Sequence, residues 1–244
     1  VLFASSATPA GFLDATKHGH YPATSMIDIV FLHPEIPSRV YGALAKDRSC
    51  VETPIWSLML AGALRRAGRK VAIVDMAAEG MTVERAVEKI TCLEPKLTVA
   101  VVYSKQPSAS THNMATAGEV LRRLKSKTAM IGGHPSALAT RTIEEEDCDY
   151  VFAGEGLNPI LKFFGGDFRD GLLDPEKDLS ELPWDLLSMD HYRAYNWMAW
   201  GYPSRHPYAA FYSSLGCPFS CHFCAVQSPF YSGQATMGMK SNSY

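Results

Sequence analysis

Short apolar runs alternate along this chain with stretches whose apolar positions recur every three or four residues. MIDIVFL (Met26–Leu32), KVAIVD (Lys70–Asp75), LTVAVVY (Leu97–Tyr103) and Thr128–Ile131 are rich in β-branched residues and have the length of buried strands. Tyr150–Phe152 opens a shorter fifth run. Between the first two, Ile55, Leu58, Met59 and Gly62 fall at i, i+3, i+4 and i+7, the spacing of one helix face. Thr53 is the expected cap of that helix, Pro54 its first turn and Gly68 its stop. Thr82 caps a second helix striped by Val83, Ala86, Val87 and Ile90, and Pro95 ends that unit. Ala117, Val120, Leu121 and Leu124 mark a third helix, with weaker ones expected over 136–146 and 158–164. His33–Glu52, which holds Pro34 and Pro37, is expected to be one long loop.

Strand and helix thus alternate five times. Continuous apolar strands separated by amphipathic helices predict an α/β domain over residues 26–165: a doubly wound, parallel, five-stranded sheet covered on both faces. Residues 1–25 lack periodicity and form a lead-in. Residues 166–207 change composition, towards acidic residues, prolines and aromatics, and read as a linker whose aromatics pack the flanking units together. Residues 208–244 begin a second unit, with Tyr208–Ser213 as its first strand. The chain opens on Val1 and stops soon after Cys224, which suggests a piece of a longer protein.

Open parallel sheets bind ligands beyond the carboxyl ends of their strands. Here those ends carry His33–Ser38, Ser104–Ser110, Gly132-Gly133-His134 and Gly154-Glu155-Gly156. Glycine admits a ligand close to the backbone, and serine supplies short hydrogen-bonding groups, although both also make ordinary turns. No G-x-G-x-x-G follows the first strand, which disfavours a nicotinamide dinucleotide.

Composition narrows the field. The 244 residues carry a formal net charge of -2 and are 47% hydrophobic, enough for one core but no basic footprint for nucleic acid or an anionic membrane. No apolar run has the length of a membrane span, and no signal peptide is visible. Scattered thiols fit a reducing, cytoplasmic compartment. Cys50, Cys92 and Cys148 are isolated and read as buried, inert thiols. The run Glu144–Asp147 reads as a solvated helix end, and no Ser-His-Asp order or phosphate loop stands out.

The densest chemistry is Cys217-Pro218-Phe219-Ser220-Cys221-His222-Phe223-Cys224, a C-x3-C-x2-C loop. Three thiolates on one loop can hold a 4Fe–4S cluster with one iron left open, since such a cluster ordinarily takes four. Structural zinc is the competing reading. It needs a fourth ligand, for which His222, wedged between two cysteines, is awkward.

Ser213–Cys224 resembles the cluster loop of radical S-adenosylmethionine enzymes, down to the aromatic Phe223 before the last cysteine. The Ser-rich loop after the third strand, IGGHP after the fourth and GEG after the fifth resemble the cobalamin-binding domain that often precedes the barrel of such enzymes. DLSELPWDLL (Asp178–Leu187) resembles the connector between the two. The resemblance implies that Cys217, Cys221 and Cys224 hold a 4Fe–4S cluster whose open iron binds S-adenosylmethionine near Phe223. It also implies that Ser104, Ser108, Ser110, Gly132, Gly133, Gly154, Glu155 and Gly156 contact cobalamin, with Gln106 towards the cobalt face. The D-x-H-x-x-G signature is missing, so the implied corrin has no protein imidazole on cobalt, and His33 and His134 are read as hydrogen-bonding loop residues.

The implied activity is reductive cleavage of S-adenosylmethionine to a 5′-deoxyadenosyl radical that abstracts hydrogen from a small-molecule substrate. Methylation of that carbon through cobalamin follows. The implied partners are that substrate and a reductant protein, with no nucleic acid and no membrane. Two alternatives remain: a cobalamin sensor or carrier with a structural metal, and a radical enzyme without cobalamin.

Overall fold

Four of the apolar runs, and the start of the fifth, become the strands of one parallel sheet. The computed structural model describes residues 26–45, 49–103, 111–166, 181–194, 207–210, 214–215, 222 and 240–241. In chain order the elements are β1 (Ile29–His33), α1 (Pro37–Tyr41), α2 (Ile55–Arg66), β2 (Val71–Asp75), α3 (Val83–Leu93), β3 (Leu97–Val101) and α4 (Thr111–Leu121). They continue with β4 (Lys127–Ile131), α5 (Gly133–Ala137), α6 (Ala139–Glu146), β5 (Tyr150–Val151) and α7 (Leu157–Phe163). The strand order is β2-β1-β3-β4-β5. Phe31 at the centre of β1 sits opposite Ile73 on one side and Val99 on the other.

Side chains alternate across each strand, so every strand feeds two cores. Ile29, Phe31, Ile73, Val99 and Val101 face α2 and α7. Val30, Leu32, Ala72, Val74 and Ala100 face α3 and α4. Burial on both faces explains why these strands read as unbroken apolar runs rather than alternating ones. Fully burying each of the larger aliphatic side chains is worth roughly 1.5–3 kcal/mol. Helix α2 buries nine of its twelve residues, whereas α3 buries only Val83, Ala86 and Ile90. Among the described residues, no helix is long and apolar enough to cross a membrane.

Several local expectations are corrected. The long loop after β1 holds a helix, α1, with Pro37 in its first turn, followed by a 3-10 turn over Gly42–Leu44. Proline presets the dihedral that a first helical turn needs, so it starts this helix instead of breaking one. The single helix expected over 136–146 is two, α5 and α6, parted at Leu138, whose φ of -131° is not helical. Thr82 caps α3 as expected, accepting from the Arg85 amide. Thr53 does not cap α2. Cys92 is exposed on α3, whereas Cys50 and Cys148 are buried.

The described part of the linker, 181–194, packs on the sheet domain, and most of the second unit it was expected to join lies outside the described residues. Leu182 joins the α2/α7 core, with Trp184, Leu186 and Leu187 packed against it. Tyr192 is fully buried, and Arg193 forms an antiparallel bridge with Val51. Beyond it, 208–210 form no strand, and 211–213 lie outside the described residues. Ser214–Leu215 (β6) pairs antiparallel with Lys240–Ser241 (β7).

Candidate functional site at the carboxyl edge

In a sheet of order 2-1-3-4-5 the direction of winding reverses between β1 and β3, and a crevice opens at their carboxyl ends. A small cavity of about 40 Å³ lies there. His33 and Glu35 enter from β1, Val101 and Tyr103 from β3, and Glu52, Thr53, Trp56 and Ser57 from the start of α2. The Trp56 and Tyr103 rings lie 4.4 Å apart, centre to centre, tilted by 40°. Each is fastened by its polar end: Trp56 Nε1 donates to the Glu155 carbonyl at 3.2 Å and the Tyr103 hydroxyl to the Gly154 carbonyl at 3.3 Å. Two residues of the GEG loop therefore hold the aromatic wall through their backbones.

Beside the cavity sits a buried hub. His33 Nδ1 donates to Asp75 Oδ1 at 3.3 Å when that nitrogen carries the proton. The same oxygen accepts from the amides of Ala77 and Ala78, both at 3.1 Å. The Tyr192 hydroxyl donates to Asp75 Oδ2 at 3.1 Å. Burial first, and the Asp75 carboxylate second, push the Tyr192 phenol far above its ordinary range, so it stays protonated and acts as a donor. His33 is thus a hydrogen-bonded residue, as expected, at the end of β1 and not in a loop.

The structure brings Gly132, Gly133, Gly154, Glu155 and Gly156 together at the ends of β4 and β5. Ser136 joins the two loops: its hydroxyl donates to the Gly132 carbonyl at 2.7 Å and accepts from the Gly154 amide at 3.0 Å. Gly132 is extended, so its backbone needs no glycine. A Cβ there would lie 2.5 Å from Val102 Cγ2 and 3.2 Å from Pro135 Cδ. Gly156 has φ +87°, and its Cβ would run into Ile131. Packing within the protein accounts for both glycines.

Ser104, Gln106, Ser108, Ser110, Phe223, Cys217, Cys221 and Cys224 lie outside the described residues. Among the described residues, no three His, Cys, Asp or Glu side chains converge to hold a metal ion. Sequence reasoning missed Ser57, Ser136, Trp56, Tyr103, Asp75 and Tyr192. They lie in helices, strands and connectors, and only tertiary contact brings them to this edge.

What could bind here follows from the polar groups. Ser57 Oγ is fully buried on the cavity wall with no hydrogen-bond partner among the described residues, an orphan that a ligand atom or a water would satisfy. Glu35 and Glu52 add carboxylates to the same wall. The cavity takes a polar arm of a ligand but not a macrocycle. A roomier groove of about 720 Å³ lies further along the edge, between α1 and the β2–α3 loop, lined by Ile36, Arg39, Met76, Met81 and Thr82. Its size is that of an ordinary small-molecule site.

The class is therefore an open α/β domain with the flavodoxin-like strand order and a polar crevice at its switch point. The particular domain is that of vitamin B12 proteins: residues 43–163 match the family model of the B12 binding domain, and the chain carries such a domain. The match begins after β1, and the structure supplies that strand. No curated protein matches the chain. Solved structures that share the fold include the following two. The radical S-adenosylmethionine methyltransferase TsrM from Kitasatospora setae, solved with a tryptophan substrate and an S-adenosylmethionine analogue, is 13% identical with a TM-score of 0.55. The comparison covers 90% of this chain and 43% of TsrM. The cobalamin-dependent S-adenosylmethionine radical enzyme OxsB, with aqua-cobalamin bound, is 14% identical with a TM-score of 0.54, over 89% of this chain and 30% of OxsB. This chain thus spans less than half the length of either protein.

Proposed function

We propose that the chain binds cobalamin at the carboxyl edge of its sheet and presents it to a radical S-adenosylmethionine centre held by Cys217, Cys221 and Cys224. The reaction would be methylation of a carbon in a small-molecule substrate, with a reductant protein feeding the cluster. One observation carries the reading: a B12 binding domain is followed in the same chain by a C-x3-C-x2-C loop. The fold shared with TsrM and OxsB is consistent with it.

When bound, the corrin supplies a methyl carrier, and the cluster with S-adenosylmethionine supplies the electron and the radical. The chain's own residues supply position. The Ser57 hydroxyl and the Glu35 and Glu52 carboxylates offer hydrogen bonds to polar arms of the ligand. The Gly154 and Glu155 carbonyls hold the Trp56–Tyr103 wall, which shields the crevice from water. Three thiolates on one loop define the metal site.

Protein purified without oxygen, analysed for iron, sulfide and zinc and titrated with hydroxocobalamin, tests this. The expected result is iron with sulfide, lost in each of Cys217→Ala, Cys221→Ala and Cys224→Ala, with corrin binding kept in all three. One zinc per chain and no iron would replace the radical enzyme by a carrier with a structural metal. Iron with no corrin band would leave a radical enzyme without cobalamin.

A further inference from the structure

Thr53 stands one residue before the N-cap of α2, which is Pro54. The Thr53 side chain makes no cap bond to α2. Instead its hydroxyl donates to the Ala210 carbonyl at 2.8 Å and accepts from the Ala210 amide at 3.1 Å. One buried hydroxyl thus satisfies both backbone groups of a residue 157 positions away. Two residues earlier, Val51 exchanges both of its backbone hydrogen bonds with Arg193, at 2.9 and 3.0 Å. Next to Arg193, the buried Tyr192 hydroxyl is held by Asp75 at the end of β2.

We infer that Val51, Thr53 and Asp75 form a clamp that fastens the connector to the crevice edge of the domain, with Thr53 as the positioning residue for everything downstream of Ala210. One buried hydroxyl that serves both backbone groups of a distant residue is the observation behind this. Thr53 also lines the crevice. Cys217 lies seven residues beyond Ala210, and seven residues reach at most about 25 Å. The clamp therefore tethers the start of the cysteine loop to the crevice mouth by chain length alone. This holds whatever metal the cysteines bind and whether or not a corrin occupies the edge, so it stands apart from the functional proposal.

Hydrogen exchange measured by mass spectrometry on the full chain, with no cofactor added, reads the clamp directly. Thr53→Val keeps the shape of the side chain and removes the hydroxyl. Peptides covering Ala210 should then exchange roughly tenfold faster, the order expected for losing one or two hydrogen bonds. Peptides of β1 and β3 should keep their protection. Thr53→Ser restores the hydroxyl and should restore slow exchange at Ala210. Tyr192→Phe, which breaks only the Asp75 anchor, should speed exchange around Arg193 and leave Ala210 slow.

Wild-type exchange at Ala210 in Thr53→Val would overturn the inference, because the hydroxyl would then hold nothing. Failure of Thr53→Ser to rescue would overturn it too, by assigning the effect to the methyl group. Equal loosening of the sheet in Thr53→Val would make Thr53 a residue of general stability and not a clamp.

Discussion

Replacing Gly132 with alanine separates two reasons for a glycine at the edge of this sheet. The first is close approach of a ligand. The second is the contact with Val102, where a new Cβ would lie 2.5 Å from Cγ2. Ordinary carbon–carbon contacts are about 3.5–4.0 Å, so the shortfall is about 1 Å. Val102 is fully buried, and Pro135 Cδ stands 3.2 Å away on another side, so neither neighbour has free space. A β-branched side chain also has little rotamer freedom with which to yield. Overpacking of this kind costs about 1–3 kcal/mol.

Val102→Ala alone loses two methyl groups, about 1.6 kcal/mol of transfer free energy at ~0.8 per group, plus a cavity contribution. In the double variant the clashing atom is gone. Adding Gly132→Ala to Val102→Ala should then cost less than about 0.5 kcal/mol, which gives the cycle a coupling of at least ~0.5 kcal/mol in the stabilising direction. Urea unfolding with an unchanged m-value is the assay. Strict additivity of the two changes would refute the packing argument. Unchanged unfolding in Gly132→Ala with weakened corrin binding would return the glycine to the ligand.

The other predictions concern charge and thiols. The Glu146 carboxyl is pushed above its ordinary value, first by burial, which Arg122 only partly offsets. A raised acid is one the fold prefers protonated. That preference adds stability below the unfolded value of 4.5, and the benefit is lost as pH rises through the folded value. Glu146→Gln should therefore be more stable than the parent near pH 7, by a few tenths of a kcal/mol because the group is still partly solvated. The difference should vanish towards pH 4 in parallel urea titrations, and a gain that grows on acidification would contradict the sign. Burial pushes the Cys148 thiol up to about 11, and Cys92 is exposed. Peptide mapping after maleimide treatment at pH 7.5 should find Cys92 modified within minutes, and Cys148 and Cys50 only in denaturant. Rapid labelling of Cys148 in the native protein would count against its placement.

Sheet membership was legible from the apolar runs because both faces of the sheet are covered, so no alternation had to be interpreted. Thr82 was legible as a cap because that bond spans only three residues. Thr53 was misread because α2 starts one residue later than expected, with Pro54 at its N-cap, and the Thr53 hydroxyl is taken by a residue 157 positions away. Pro37 was placed in a long loop, whereas it opens a helix. Gly132 and Gly156 were singled out for ligand approach, and the contacts of a Cβ with Val102 and Ile131 give each a packing reason as well, which no sequence pattern signals. Ser57 and Ser136 carried no signal: one is a helical serine whose hydroxyl lacks a partner, the other a helical serine that bonds backward to Gly132 and across to Gly154. Cys92 was read as buried from its residue type, although it lies off the stripe of Val83, Ala86 and Ile90 that α3 buries.

The two anchor points, Val51 and Thr53, are only two residues apart, yet they hold Arg193 and Ala210. The sixteen residues between leave and return at nearly the same place. A segment whose ends are pinned together can change length without displacing either end, and doubling it adds only about 0.6 kcal/mol of closure entropy. That stretch is therefore where evolution or an engineer could insert new sequence, even a small folded module, and leave the geometry on both sides as it was.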